Sequence, residues 1–157
     1  MPFPVIQAVT LTGRALRLPA DLGHARNVML VVLRREQQPA VASWVPYVKQ
    51  LEQLREDLGV FEIVVLGRAG LLTRMVTNAR LRGDIPNPSL RERTIPLYTD
   101  RAAFLGALGL PQTADMRVVL VDGEGEVLWH ASGQVTPDKV QALAHAVSNG
   151  ASREREA

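Results

Sequence analysis

Few side chains in this sequence stand in a pattern that does covalent chemistry. The 157 residues contain no cysteine, so there is no thiolate to attack a disulfide or a peroxide, to hold a metal or to close a structural bridge. His24, His130 and His145 lack the i, i+4 spacing that aims two imidazoles at one metal, and each reads as a surface or packing residue. The acidic run Asp122-Gly123-Glu124-Gly125-Glu126 lacks the ligand spacing and length of a calcium loop and reads as a tight turn. There is no phosphate-cradling glycine loop, dinucleotide fingerprint or serine nucleophile elbow. No metal and no cofactor are expected.

Amides and guanidiniums remain. Gln37 and Gln38 lead into Pro39, Ala40 and Val41 at the start of a helix-periodic stretch. There the amides and the first N–H groups of the helix are able to contact a peptide or an anion, while the plainer reading is a polar loop that caps the helix. Arginine outnumbers lysine 16 to 2 in a chain of net charge +2, and Arg68, Arg74, Arg80, Arg82, Arg91 and Arg93 fall in a span whose only acids are Asp84 and Glu92. This is a local basic field. With no interleaved aromatics and no nucleic-acid motif around it, a protein partner is favoured over nucleic acid, and a solvated basic face is the bland reading. Trp44 lies on an apolar stripe and reads as core. Trp129 is either core or an aromatic anchor for a partner.

The chain length and its 46% hydrophobic content fit one domain over 1–147, followed by a polar tail over 148–157 that reads as disordered. No apolar stretch approaches the roughly 20 residues needed to cross a bilayer, and the first residues lack a leader pattern, so a soluble cytoplasmic protein is expected. Alternation from Val5 to Leu18 around Thr12-Gly13 predicts a hairpin, and the apolar run Val28 to Leu33 predicts a strand covered on both faces. Val41, Trp44, Val48, Leu51, Leu54 and Leu58 mark one face of a helix that Gly59 ends. A second strand follows over 60–66. Leu71, Leu72, Met75, Val76 and Ala79 give the buried face of a second helix whose other side carries the arginines. A proline-rich loop over 83–96, a short strand over 95–98 and a short helix over 101–108 lead to a late hairpin formed by 117–121 and 126–130. Thr136 caps a last helix that begins at Pro137. This order predicts an α/β sandwich with a central mixed sheet.

Over residues 5–147 the chain resembles the thioredoxin-like superfamily, most of all its AhpC/TSA peroxiredoxin-like and TlpA-like branches. The opening hairpin around Thr12-Gly13, the strand 28–33, Pro46 in the first helix, and Arg117-Val118-Val119-Leu120-Val121-Asp122-Gly123-Glu124-Gly125 carry the resemblance. In that family a proline lies five residues after the second cysteine, so Pro46 places the cysteine slots at Gln38 and Val41. Met116 stands where the family's cis-proline belongs. Arg117 is one residue out of register with the arginine that steadies peroxide in peroxiredoxins. Leu128-Trp129-His130-Ala131-Ser132-Gly133, with Ser43-Trp44, is also similar to the cysteine-poor branch that includes mitochondrial ATP synthase assembly factors.

The resemblance implies a redox-inactive protein that works by binding, as an assembly or chaperone-like module, rather than as an enzyme. Its relic cleft would comprise Gln37, Gln38, Pro39, Ala40, Val41, Met116 and Arg117. The partner surface would comprise Arg74, Arg80, Arg82, Arg91, Arg93 and Trp129. Two alternatives are an oxidoreductase-related or other enzyme using the same cleft without cysteine, and binding of an anion or nucleic acid through the Arg-rich segment 68–93. The sequence names neither the partner nor an oligomeric state.

Overall fold

The computed structural model describes residues 2–156, with side chains over 2–149. The elements follow in the order β1 (Ile6–Val9), β2 (Ala15–Leu18), β3 (Arg26–Val32), α1 (Gln38–Leu54), β4 (Leu58–Leu66), α2 (Leu71–Asp84), α3 (Pro88–Glu92), β5 (Thr94–Tyr98), α4 (Arg101–Ala107), β6 (Arg117–Asp122), β7 (Val127–Ser132) and α5 (Pro137–Glu156). β1 and β2 form the expected antiparallel hairpin, and the other five strands form one mixed sheet in the order β5-β4-β3-β6-β7. β3 pairs parallel with β4 and antiparallel with β6, and all seven of its residues are buried. A strand in this position has to be apolar on both faces.

Alternation along β3 feeds two cores. Val28, Leu30 and Val32 meet Val41, Trp44 and Val48 of α1 and Leu143 and Val147 of α5. Met29 and Val31, with Leu33 just beyond, meet Leu16 and Leu18 of the hairpin and Phe104 and Leu105 of α4. Trp44 is fully buried, its indole N–H donates to the Gly133 carbonyl at 2.9 Å, and its ring meets Trp129 edge-on at 6.4 Å. The two tryptophans thereby join α1 to the late hairpin.

Several elements differ from the sequence expectations. α1 ends at Leu54, so Leu58 and Gly59 open β4 instead of closing the helix. The 3–4 spacing of apolar residues runs on to Leu58 by coincidence. Arg55 and Asp57 pair in the intervening turn, where the Asp57 carbonyl accepts from the Arg26 N–H at 3.0 Å and starts the β3–β4 ladder. Gly59 is needed for a close approach: a Cβ there would collide with His24 Nδ1 and lie 2.9 Å from Asn27 Oδ1.

The supposed loop 83–96 contains the end of α2, all of α3 and the start of β5. Asn87 caps α3 by accepting from the Ser89 N–H at 2.9 Å, and Pro88 fits the first helical position. α5 runs to Glu156 through most of the segment expected to be a disordered tail, where Ala151, Arg153, Glu154 and Arg155 are good helix formers. Thr136 does cap it, accepting from the Lys139 N–H at 3.3 Å. The acidic run 122–126 is a turn, with Asp122 Oδ1 accepting from the N–H groups of Glu124 and Glu126 at 2.9 and 3.0 Å.

Trp44→Ala is expected to cost about 3–5 kcal/mol in urea unfolding. Trp44→Phe is expected to cost about 1–3 kcal/mol, since it keeps a ring but orphans the Gly133 carbonyl. Equal midpoints for Trp44→Phe and the parent would show that the indole hydrogen bond carries no weight.

Candidate functional site

The residues expected to form a relic cleft do not share one environment. Between β3 and α1 the chain makes a tight turn over Arg35–Gln37, and Gln37 is buried there. Its Oε1 accepts from the Leu33 N–H at 2.9 Å and the Arg34 N–H at 3.2 Å, while its Nε2 donates to the Ala114 carbonyl at 3.0 Å. The Arg34 guanidinium donates to the carbonyls of Gln112, Thr113 and Ala114 at 3.0, 3.3 and 3.1 Å. These bonds lace the loop before α1 to the loop before β6. Gln37 is therefore a structural tie, spent on backbone groups.

Val41 is buried in the α1-side core, and Met116 is fully buried in the same cluster. The peptide bond leading into Met116 is trans. Hydrocarbon occupies both positions. Arg117 is half-buried on β6, opposite Val31 and Ser132, and its Nε finds no hydrogen-bond partner among the described residues. Pro39 lies in the exposed first turn of α1 and Ala40 is half-buried against the core.

Of these side chains, Gln38 lines a cavity. It begins α1 and its Nε2 donates to Glu62 Oε1 at 3.3 Å. The cavity, about 490 Å³, lies between α1 and α2 over the ends of β3 and β4. Burial pushes the Glu62 carboxyl above its ordinary value of 4.5, and the Gln38 amide opposes the shift by steadying the charged form. Arg34, Arg35, Arg80 and Arg101 also line this space. Sequence reasoning singled out only Arg80 of these four. The available signals were Arg34-Arg35 directly after a buried strand, and Glu62 as a lone charge in the apolar run 60–66.

The basic cluster is divided by the fold. Arg93 pairs with Glu52, and Arg91 donates to the carbonyls of Ile85 and Arg82 at 2.5 and 2.7 Å. Arg74 donates to the Ala69 carbonyl at 2.8 Å and stacks 5.1 Å above the Tyr98 ring. These three secure α2, α3 and β5. Among the described residues Arg68, Arg80 and Arg82 make no side-chain hydrogen bond or ion pair. Trp129 is half-buried against Trp44 and packs on the α1-side core.

The largest departure concerns α2. Leu71, Leu72, Met75 and Val76, expected to face the core, are 77%, 74%, 58% and 64% exposed, and the helix has no buried residue. Its inner side is built from Thr77, Asn78, Leu81 and Ile85, all only half-buried, and Tyr98 donates to Asn78 Oδ1 at 2.5 Å. The apolar period correctly marked a helix and assigned its stripe to the wrong side. A groove of about 670 Å³ separates this helix from the opening hairpin, with Val9, Ala15, Leu71, Met75, Pro96 and Tyr98 among its walls.

No protein-family model matches the chain, and no curated protein matches it significantly. Solved structures do. A putative electron transfer protein from Aquifex aeolicus VF5 superposes with a TM-score of 0.66 at 14% identity, covering 91% of this chain and 93% of that one. The pneumococcal exposed lipoprotein thioredoxin Etrx1 from Streptococcus pneumoniae TIGR4 gives 0.61 at 14% identity over 90% and 98% of the two chains. A DsbF homologue from Corynebacterium diphtheriae gives 0.60 at 17% identity over 94% and 85%. The fold is thioredoxin-like, of the kind found in thiol-disulfide oxidoreductases, here in a chain without cysteine. No helix among the described residues is long and apolar enough to cross a membrane.

Two outcomes test this site. Gln37→Ala leaves the Leu33 and Arg34 N–H groups without their acceptor, while the Ala114 carbonyl keeps the Arg34 guanidinium, and is expected to cost about 1–3 kcal/mol for each group left unpaired. Faster hydrogen exchange at the Leu33 amide would locate the loss. For Glu62, the folded chain holds its proton to a higher pH than the unfolded chain does. Stability is therefore lost as pH rises from 4.5 through the raised value, and Glu62→Gln removes that loss. The variant should melt above the parent at about pH 7 and level with it at about pH 4, whereas a lower melting point at pH 7 would mean that the ionised carboxylate is net favourable.

Proposed function

We propose that this is a redox-inactive thioredoxin-like module that acts by binding a protein, in an assembly or chaperone-like role. The observation that carries the reading is the outer face of α2, where Leu71, Leu72, Met75 and Val76 lie in solvent. A helix that covers a sheet ordinarily turns its apolar stripe inward. A contiguous exposed apolar patch is a common mark of an interaction site. Among the described residues the guanidiniums of Arg68 and Arg82, beside and on this helix, make no hydrogen bond or ion pair, and Arg74 and Arg17 line the adjoining groove beside the single acid Asp21. The matching partner is a protein segment with an apolar face flanked by acidic side chains.

The chemistry points the same way. A thiol step needs a thiolate, the chain has none, and the two positions that the resemblance assigns to cysteines carry Gln38 and Val41, the second of them core hydrocarbon. The assembly role is proposed from the sequence resemblance of 128–133 and Ser43-Trp44 noted above, and the cytoplasm is the proposed compartment. Protein is preferred to nucleic acid because half of the basic cluster, Arg74, Arg91 and Arg93, is spent in internal bonds and no aromatics interleave it.

Purified protein is expected to show neither disulfide reductase nor thiol peroxidase activity. A native pull-down is expected to retain a stoichiometric protein that resists nuclease. Leu72→Asp combined with Met75→Asp should reduce its capture at least tenfold without lowering the melting temperature, and Arg68→Ala with Arg82→Ala should weaken it most at low salt. Turnover that survives repurification, or capture unaffected by the Leu72 and Met75 changes, would sink this reading.

A further inference from the structure

We infer that the cleft between α1, α2 and the ends of β3 and β4 binds a small amphiphilic anion, a carboxylate or phosphate head joined to an apolar body. The cleft is separate from the outer face of α2. At about 490 Å³ it falls within the ordinary range of small-molecule sites, roughly 300–1,000 Å³. It also lies outside the carboxyl ends of parallel strands, where open α/β sheets place their ligands.

The charges around it are unbalanced. Arg34, Arg35, Arg80 and Arg101 line the cleft, against Glu62 and Asp84, and Glu36 pairs with Arg34 at 3.4 Å from outside it. Burial works against the charge on Glu62, and the Gln38 amide partly offsets it. Arg34 is already committed to the loop before β6, and Arg101 makes one long bond to the Val65 carbonyl at 3.4 Å. Among the described residues the guanidiniums of Arg35 and Arg80 have no hydrogen bond or ion pair. They come from opposite walls, one before α1 and one on α2. Like charges gathered over apolar walls repel each other, and an oxyanion between them relieves that repulsion while offering each planar fork its preferred bidentate acceptor.

The floor selects the rest of the ligand. Val64 and Leu66 of β4, with Leu81 and Ile85 from the α2 side, are only half-buried and present hydrocarbon to the cleft. Filling this space covers apolar surface that the fold alone leaves wet, at roughly 25 cal/mol per Å² removed from water. Gln38 supplies a polar contact at the mouth.

Titration calorimetry at low salt on the full chain, with phenyl phosphate, benzoate, inorganic phosphate and benzyl alcohol, tests the inference. At least one aromatic anion should bind one-to-one and saturably, at least tenfold tighter than both inorganic phosphate and the neutral alcohol. Which of the two aromatic anions binds identifies the head group. Arg35→Ala and Arg80→Ala should each weaken it at least fivefold, while Arg17→Ala, in the groove beside the hairpin, should not. Arg35 is on an exposed turn, so its variant keeps the test open if Arg80→Ala unfolds. Absence of saturable binding by both aromatic anions, inorganic phosphate binding as tightly as phenyl phosphate, or unchanged affinity in Arg35→Ala would overturn it.

Discussion

Everything in this fold is arranged around the burial of β3. A strand covered on both faces along its full length needs two separate hydrophobic layers, and the chain supplies them with α1 and α5 on one side and the hairpin and α4 on the other. Because its side chains alternate, each layer takes every second residue. A one-residue slip would send each side chain into the opposite layer. The register with β4 and β6 is thereby fixed, and with it the point where the chain leaves the sheet at Leu33 and turns toward α1. The position of Gln38 at the mouth of the cleft follows from that register.

Gln37 and Arg34 complete the placement. The loop before α1 and the loop before β6 face each other at the end of the sheet. Here their facing backbone groups are bonded to side chains, and Val41 and Met116 fill the space beneath with hydrocarbon. Polar groups that a reactive site would leave available are satisfied internally. The result is a bonded floor between the two loops and an arginine-lined opening to one side of it.

Much of this was legible from residues alone. The continuous apolar run 28–33, the 3–4 spacing from Val41 to Leu51 and the Gly-rich turn at 122–125 each have one physical solution, and the fold followed from their order. Boundaries were harder, because Leu58 continues a helical spacing while its backbone belongs to a ladder. The helix α2 was read from its period, yet a period gives the presence of a stripe and not what lies opposite it. The cleft was out of reach for a different reason: Arg34, Arg35, Arg80 and Arg101 are scattered over 68 positions and meet only through the crossover from β4 to β5. Glu62 was the visible clue, a charge where only hydrocarbon was expected.

The way α2 is attached has an evolutionary corollary. It is held to the sheet through Tyr98 and Asn78 and to α3 through Arg91, by hydrogen bonds and partial contacts instead of a packed core. Substitutions on its outer surface therefore carry little folding penalty, since no cavity opens when a side chain there changes. Selection can rewrite that surface for new recognition tasks while the sheet and its two cores stay constant. Divergence among chains of this architecture should accordingly run fastest along α2 and slowest along β3.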